Sequence, residues 1–173
     1  MPATGAVRCP YASLLTWLSV DEPEAGSQLE EVPLPGGLVN TVVRVGDTVR
    51  RSTGPWTPAV HALLRHLEAA GFTAAPRVLG FDDREVLTYI EGAAATWPWP
   101  TALRTETGLR SLAALLRRYH DAVESFAPPT DAVWRIGAVP LRDGEIVRHG
   151  DVGPWNTIWR DGELSGLIDW DFA

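Results

Sequence analysis

The pattern of apolar and polar residues divides the chain into a β-rich first half and a largely helical second half. Short β-branched runs separated by Gly-Gly, Gly-Asp and Asp-Asp turns predict an antiparallel sheet. The expected strands are residues 30–32, 39–45, 48–51, 78–81 and 85–90. Between the third and fourth strands, Thr57-Pro58 opens a helix with a capping hydroxyl, and Gly71 closes it. Its apolar positions recur at helical spacing and are Val60, Leu63, Leu64 and Leu67.

A long amphipathic helix is predicted for residues 103–126. Its apolar stripe comprises Leu109, Leu112, Leu116, Tyr119 and Val123. His120 lies beside this stripe and is expected to be a core histidine with satisfied hydrogen bonds. Pro128-Pro129 ends the helix, an irregular stretch follows, and Ile146-Val147 is expected to form a short strand.

The end of the chain is predicted to form a hairpin that gathers oxygen-bearing side chains. An Asp-Gly turn at residues 161–162 sets Asn156 opposite Leu167. Asp169 is two residues beyond Leu167, so it points to the same face as Asn156, about 7–8 Å away. Asp151 lies just before the hairpin. Carboxylate and carboxamide oxygens suit Mg²⁺ better than zinc or copper, so the hairpin predicts a site for a hard cation.

Composition narrows the class of protein. The 173 residues carry 15 basic and 22 acidic side chains and a net charge of −7, which argues against a nucleic-acid-binding surface. An apolar content of 45% indicates a globular chain rather than a disordered or membrane-spanning one. The single cysteine, Cys9, fits a reducing cytoplasm. The apolar residues 11–20 are too short and too interrupted for a signal peptide, and instead predict a short helix with Leu14, Trp17 and Leu18 on one side.

The residues of the predicted cation site also follow a spacing with a known form. His149, Asp151 and Asn156 match the H-x-D-x-x-x-x-N pattern of a kinase catalytic loop, and Asp169 matches the metal-binding aspartate that follows it. Gly150 stands where that loop has arginine, and a tryptophan rather than Phe-Gly follows Asp169. This version, HGDVGPWN followed by IDWD, resembles the aminoglycoside-phosphotransferase-like small-molecule kinases. An ordinary hairpin with solvated carboxylates would leave the coincidence of these residues unexplained.

The resemblance implies an α+β, two-lobed protein-kinase-like fold. The N-terminal nucleotide-binding lobe, residues 1–91, would be an antiparallel sheet with one helix. Residues 92–173 would form a partial C-terminal catalytic lobe, mostly helical with a catalytic hairpin and lacking the family's last helices. The uncovered apolar surface of that lobe would favour a homodimer. Trp97 and Trp99 would either line the mouth of the cleft or pack between the lobes, and packing is favoured.

The resemblance also implies the roles of the catalytic residues. Asp151 would act as the base toward an acceptor hydroxyl, and His149 would orient the loop by hydrogen bonding. Asn156 and Asp169 would hold Mg²⁺, which bridges the phosphates of the nucleotide. Asp171 would support these residues or be exposed.

The nucleotide, ATP or GTP, is expected in the N-terminal lobe. Gly36 and Gly37 would let the backbone approach its phosphates, and Arg51 would supply a cation, or Arg50 if the register slips by one residue. The linker residues whose backbone groups would bind the adenine edge are Tyr89, Ile90 and Glu91.

One departure from the kinase pattern concerns the helix of this lobe. In kinases a glutamate on the helix pairs with the phosphate-binding cation of the third strand. The matching position here is Val60, with His61 next to it, so the expected ion pair is missing or replaced. His61 and His66 are expected to be surface histidines.

Three functions remain open at this level. The favoured one is phosphoryl transfer from ATP or GTP to a hydroxyl of a small molecule, such as an aminoglycoside-like compound or another amino or sugar alcohol. The alternative is a non-catalytic kinase-like module that binds a nucleotide or a partner. A metal-dependent phosphoesterase using His149, Asp151 and Asp169 is less favoured, because such sites need more histidine and aspartate ligands than this chain supplies.

Overall fold

The first lobe is an antiparallel sheet with one helix, as predicted. The structure, a computed structural model, describes residues 30–34, 42–136 and 141–173. Five strands pair in the order β1-β2-β3-β5-β4, and every pair is antiparallel. They are β1 (Glu31–Pro33), β2 (Val42–Val45), β3 (Thr48–Arg51), β4 (Val78–Phe81) and β5 (Glu85–Thr88).

Some predicted features lie outside the described residues. These are the helix with Leu14, Trp17 and Leu18, the cysteine Cys9, and the Gly36-Gly37 turn.

Helix α1 (Thr57–Ala69) crosses the first lobe and buries the apolar face that its spacing predicts. Val60, Leu63 and Leu67 are fully buried, and Gly71 follows the helix with a φ of +77°. The predicted cap is wrong in detail. Thr57 is already the first helical residue, and its hydroxyl accepts a hydrogen bond from the Gly54 N–H at 2.9 Å, outside the helix.

The second lobe combines a three-stranded sheet with the long helix α2. The sheet has the order β6-β7-β8, with β6 (Ala93–Ala94), β7 (Thr157–Arg160) and β8 (Glu163–Leu167). Helix α2 (Glu106–Val123) is shorter than predicted, because the Thr105 hydroxyl caps it by accepting the Gly108 N–H at 3.0 Å. The predicted strand at Ile146-Val147 does not form. The Val147 carbonyl instead accepts the buried Tyr119 hydroxyl at 2.6 Å.

The buried face of α2 is rotated from the predicted stripe. Leu115, Tyr119 and Val123 are buried at a spacing of four residues, whereas Leu109 is 60% exposed. His120 is exposed, so its prediction as a core histidine is wrong. The face turns this way because Tyr119 packs edge-on against Trp170, with ring centroids 5.1 Å apart.

One hydrophobic core runs through both lobes. It joins the buried face of α1 to that of α2 and to the end of the hairpin, where Leu167 and Trp170 are buried. Trp97 does not take part, because it is 77% exposed and contacts Trp99 edge to face. Its prediction as packing between the lobes is therefore wrong. None of the helices in the described ranges is long and apolar enough to cross a membrane.

Candidate active site

The loop before the hairpin is tied to the segment after it through His149. This side chain is buried, and its Nε2–H donates to the carbonyl of Ile168 at 3.0 Å. Its ring also packs against Trp170, with centroids 4.4 Å apart. Gly150 has a φ of +81°, and a Cβ there would collide with the carbonyl of Phe172. The loop and the segment 168–172 are thus fixed against each other.

Asp151 and Asn156 are joined directly. The Asn156 amide nitrogen donates to the carboxylate Oδ2 of Asp151 and to its backbone carbonyl, each at 2.9 Å. Both amide protons are used in this way, and the Asn156 oxygen Oδ1 takes no part in these bonds. The indole N–H of Trp155 also donates to Asp151 Oδ2, at 3.3 Å.

The register of the hairpin differs from the prediction by one residue. Arg160 pairs with Glu163 as expected, but an extra residue at Ser165 forms a bulge, and Leu167 therefore pairs with Thr157. The Ile168 N–H donates to the Asn156 carbonyl at 3.0 Å, which sets the Asn156 backbone next to Ile168, the residue before Asp169. Asp169 has a left-handed φ of +59° that turns the chain at this point. A bulge and a turn, rather than regular alternation, thus set where Asn156 and Asp169 lie along the hairpin.

A buried arginine connects the first lobe to this segment. Arg51 on β3 is 8% exposed, and each of its three guanidinium nitrogens contacts a different carboxylate. Nε binds Glu85, Nη2 binds Asp171, and Nη1 lies 3.2 Å from Asp169. Burial alone would lower the pKa of Arg51, but the three carboxylates together raise it. The neighbouring Arg50 instead binds Asp82 at 3.0 Å, so of the two arginines it is Arg51 that meets the carboxylates of the candidate site.

The partner that sequence reasoning missed is Glu85. It lies on β5 directly opposite Arg51 and is completely buried. His61 on α1 is buried as well and contacts the second oxygen of Glu85 at 2.6 Å, so its prediction as a surface histidine is wrong. Burial would raise the pKa of Glu85, but the bonds to His61 and Arg51 outweigh it and lower the pKa. The kinase ion pair is therefore replaced by a cross-strand pair that the helix supports through a histidine.

Asp169 and Asp171 differ in how they meet solvent. The Asp169 side chain is 43% exposed, and its pKa is raised chiefly by burial. Arg51 opposes this shift, while Asp171 and, less strongly, Asp151 add to it. Asp171 is buried and binds both Arg51 and Arg135, the latter at 3.3 Å. It is thus a buried support and not an exposed residue.

The oxygen atoms available here suit a hard cation. Asn156 Oδ1 and the partly exposed carboxylate of Asp169 are the two predicted ligands, and the charge of Asp151 makes a small contribution to the raised pKa of Asp169. In the described ranges, no three His, Cys, Asp or Glu side chains form a cluster that could hold a metal. Two carboxylates with one carboxamide fit Mg²⁺, which keeps several waters and takes few protein ligands.

The linker residues lie beside the sheet of the first lobe. The Tyr89 N–H donates to the Asp47 carbonyl at 2.9 Å, and Glu91 accepts from Arg44 at 2.8 Å. Ile90 and Glu91 also border an open pocket of about 410 Å³ at the turn of the β7–β8 hairpin. The Tyr89 amide is therefore already bonded within the protein in this conformation.

A second arginine braces the junction of the lobes. Arg135 lies over the rings of Trp56 and Phe172, 4.6 and 4.5 Å from their centroids, besides its bond to Asp171. Trp56 belongs to the tripeptide Gly-Pro-Trp, which occurs at residues 54–56 and again at 153–155. In both copies the indole folds back over the glycine.

His66, also predicted on the surface, is half-buried and contacts the Ala122 carbonyl at 2.9 Å.

Fold and site together define a kinase-like protein. It has a buried arginine, Arg51, on β3, a loop that carries His149 and Asp151, and an aspartate, Asp169, after the β7–β8 hairpin. Residues 30–146 and 134–173 match the model of the phosphotransferase enzyme family. The chain belongs to this family. A structure of a choline/ethanolamine kinase family protein from Mesorhizobium loti matches with a TM-score of 0.55 and 22% identity, covering 86% of this chain and 60% of that one. The predicted protein-kinase-like fold is confirmed.

A similar curated protein is the trifolitoxin immunity protein of Rhizobium leguminosarum bv. trifolii. It is 43% identical over 151 residues, which cover 83% of this chain and 56% of the relative. The chain thus spans little more than half the length of this relative.

Replacing Glu85 is expected to destabilise the fold far more than its single charge suggests. In Glu85→Gln, Arg51 and His61 stay buried with a neutral partner, and the loss is expected to be about 3–5 kcal/mol in the free energy of unfolding. Urea denaturation measures it. Asp121→Asn removes a carboxylate from an exposed pair with Arg117 and should cost only about 0.5 kcal/mol. Equal losses of stability in the two variants would contradict the conclusion that Glu85 and Arg51 form a buried ion pair.

Stability at acid pH is expected to report the burial of His149. Burial lowers the pKa of His149 to about 4 from its ordinary value of 6.5. The unfolded chain therefore takes up the proton first, so the stability from the neutral ring is present above pH 6.5 and is lost as the pH falls toward 4. This amounts to roughly 3 kcal/mol.

The measurement is urea unfolding between pH 7 and pH 4. His149→Gln should flatten the pH dependence in this window, whereas His120→Gln, at an exposed position, should leave it unchanged. An unchanged slope in His149→Gln would refute the assignment.

Proposed function

We propose that the protein transfers the γ-phosphoryl group of ATP or GTP to a hydroxyl group of a small molecule. The observation that supports this most strongly is the fixed carboxylate of Asp151, held by Asn156 in a loop that His149 bonds to the segment carrying Asp169. A base and two oxygen ligands in this order form the arrangement that phosphoryl transfer to a hydroxyl requires. A nucleotide triphosphate donor would place the reaction in the cytoplasm.

In this proposal each residue of the chain has a limited task. Asp151 accepts the proton of the acceptor hydroxyl as its oxygen attacks phosphorus, a contribution of about 10²–10⁴ in rate. Asn156 and Asp169 would hold Mg²⁺, which when bound neutralises the charge of the phosphates. His149 keeps the loop in place through its bond to Ile168. Arg51, fixed by Glu85, keeps Asp169 in position from the opposite lobe.

The acceptor is proposed to be a toxic compound with a free hydroxyl group. The trifolitoxin immunity protein is, by its name, a protein of immunity to a toxin. Phosphorylation adds negative charge and bulk to such a compound and would abolish its binding to a target, which is a direct route to resistance. Aminoglycoside-like compounds and other amino or sugar alcohols offer suitable hydroxyl groups.

The test is a screen of hydroxyl-bearing antibiotics and amino alcohols with γ-labelled ATP and GTP. With an acceptor found, Asp151→Asn should lower kcat about 10²–10⁴-fold, since it removes the base but keeps the shape of the side chain. Stabilisation of the fold by nucleotide with Mg²⁺, measured as a shift in Tm, should persist in that variant.

Asp169→Asn provides the matched comparison, because it should abolish the Mg²⁺-dependent part of that Tm shift. Full transfer by Asp151→Asn would refute its role as base. Nucleotide binding without transfer to any acceptor would favour the non-catalytic module instead.

We also propose that the protein self-associates through the outer side of α2. Leu109 is 60% exposed there, and it continues an apolar row whose next members, Leu112 and Leu116, are half-buried against the core. Light scattering is expected to give a mass above that of the monomer, and Leu109→Glu should restore the monomer. A wild-type protein that is monomeric at high concentration would exclude this proposal.

A further inference from the structure

A large aromatic side chain lies inside the predicted catalytic loop without being part of the core. Trp155 belongs to the short 3₁₀ turn Pro154–Asn156 and is 52% exposed. Exposing this much of an indole forgoes hydrophobic stabilisation. Its Nε1–H nevertheless points inward and donates to Oδ2 of Asp151 at 3.3 Å.

The bond from Trp155 makes the two oxygens of Asp151 unequal. Oδ2 accepts two N–H groups, one from the Trp155 indole and one from the Asn156 amide at 2.9 Å. An indole nitrogen only donates, so it can neither receive the acceptor proton nor pass it on. Two donors from different directions fix the plane of the carboxylate, which leaves Oδ1 as the oxygen with lone pairs to receive a proton.

The position of the indole is set by the glycine two residues earlier. A Cβ on Gly153 would fall inside the Trp155 ring. Gly153 has a φ of −92°, which any residue adopts, so glycine is needed here for space and not for its backbone conformation. Pro154 between them limits the backbone to a conformation that folds the ring back. Trp56 lies over Gly54 in the same way, so the sequence Gly-Pro-Trp gives this arrangement at both of its occurrences.

We propose that Trp155 is a positioning residue that, together with Asn156, holds Asp151 so that Oδ1 alone faces the acceptor hydroxyl, with Gly153 keeping the indole in place. The catalytic consequence rests on the proposed function. The placement of the indole does not, and the two are tested separately.

The first experiment examines the placement without any substrate. The protein has eight tryptophans, whose indole N–H groups give separate ¹⁵N–¹H resonances, and Trp155→Phe identifies the one from Trp155. We expect this resonance to exchange slowly with water, to shift in Asp151→Asn, and to move to the position of a free indole in Gly153→Ala. A Trp155 resonance that already resembles a free indole, or that Gly153→Ala leaves unchanged, overturns the proposal.

The second experiment examines the consequence for turnover, with hydrolysis of Mg·ATP as the probe so that water is the acceptor. Trp155→Phe keeps the ring but removes the N–H, and should lower kcat about tenfold, the effect of one hydrogen bond to a charged group. The KM for ATP should stay within about twofold, because in this proposal the indole acts through Asp151, the general base, and not through nucleotide binding. A loss that appears only in KM, or no loss, contradicts the positioning role.

Gly153→Ala separates this role from a general loss of structure. This change leaves the indole chemically intact but displaces it from its position over residue 153. It should therefore lower kcat by about the same factor as Trp155→Phe. The double variant should be no slower than either single variant, whereas additive losses would show that Gly153 acts independently of Trp155. Asp121→Asn, at an exposed position on α2 that is outside the proposed site, is the control and should keep full activity.

The two experiments distinguish failure of this inference from failure of the proposed function. A wild-type protein that neither hydrolyses ATP nor phosphorylates an acceptor counts against the proposed function, and the indole resonances then decide the placement by themselves. An active wild-type protein with unchanged kcat in Trp155→Phe overturns the inference and leaves the proposed function intact.

Discussion

The buried guanidinium of Arg51 is the interaction on which the rest of the site depends. A charge in this position is stable only if carboxylates and hydrogen bonds replace the water that it has lost. Its three partners come from β5 and from the segment that follows the hairpin. Because one planar group must satisfy all of them at once, the sheet of the first lobe and the end of the second are held in one relative position. Trp170, buried between Asp169 and Asp171, anchors the same segment in the core.

The charges around Arg51 do not balance, and the imbalance bears on the metal. Arg51 and Arg135 face the three carboxylates of Glu85, Asp169 and Asp171. Glu85 and Asp171 are fully enclosed by protein, whereas Asp169 keeps 43% of its side chain exposed and has a raised pKa. The surplus negative charge is therefore concentrated where solvent and a cation have access. A divalent cation bound by Asp169 would offset part of this negative charge, which is consistent with the proposed Mg²⁺ site.

Local patterns predicted much of this protein, and contacts between distant residues explain what they missed. The strands, the buried face of α1 and the His149-Asp151-Asn156-Asp169 series follow from spacing and turn residues within short windows. The bulge at Ser165 has no such signal, since it is specified by how β8 packs and not by its own alternation. Glu85 reads as an ordinary strand residue because its partner Arg51 is 34 residues away. His61 was placed on the surface for the same reason, as nothing near it in the sequence shows the carboxylate that it meets.

The origin of the Arg51 partner also changes what α1 contributes to the site. In protein kinases the strand cation depends on a glutamate from the helix, so that the position of the helix controls the ion pair. Here the pair is made across β3 and β5, where backbone hydrogen bonds fix Arg51 opposite Glu85. A shift of α1 would move His61 away from Glu85 but would leave the two charged residues in register. The helix therefore supports the pair from one side without creating it, and the geometry of the cation is a property of the sheet itself.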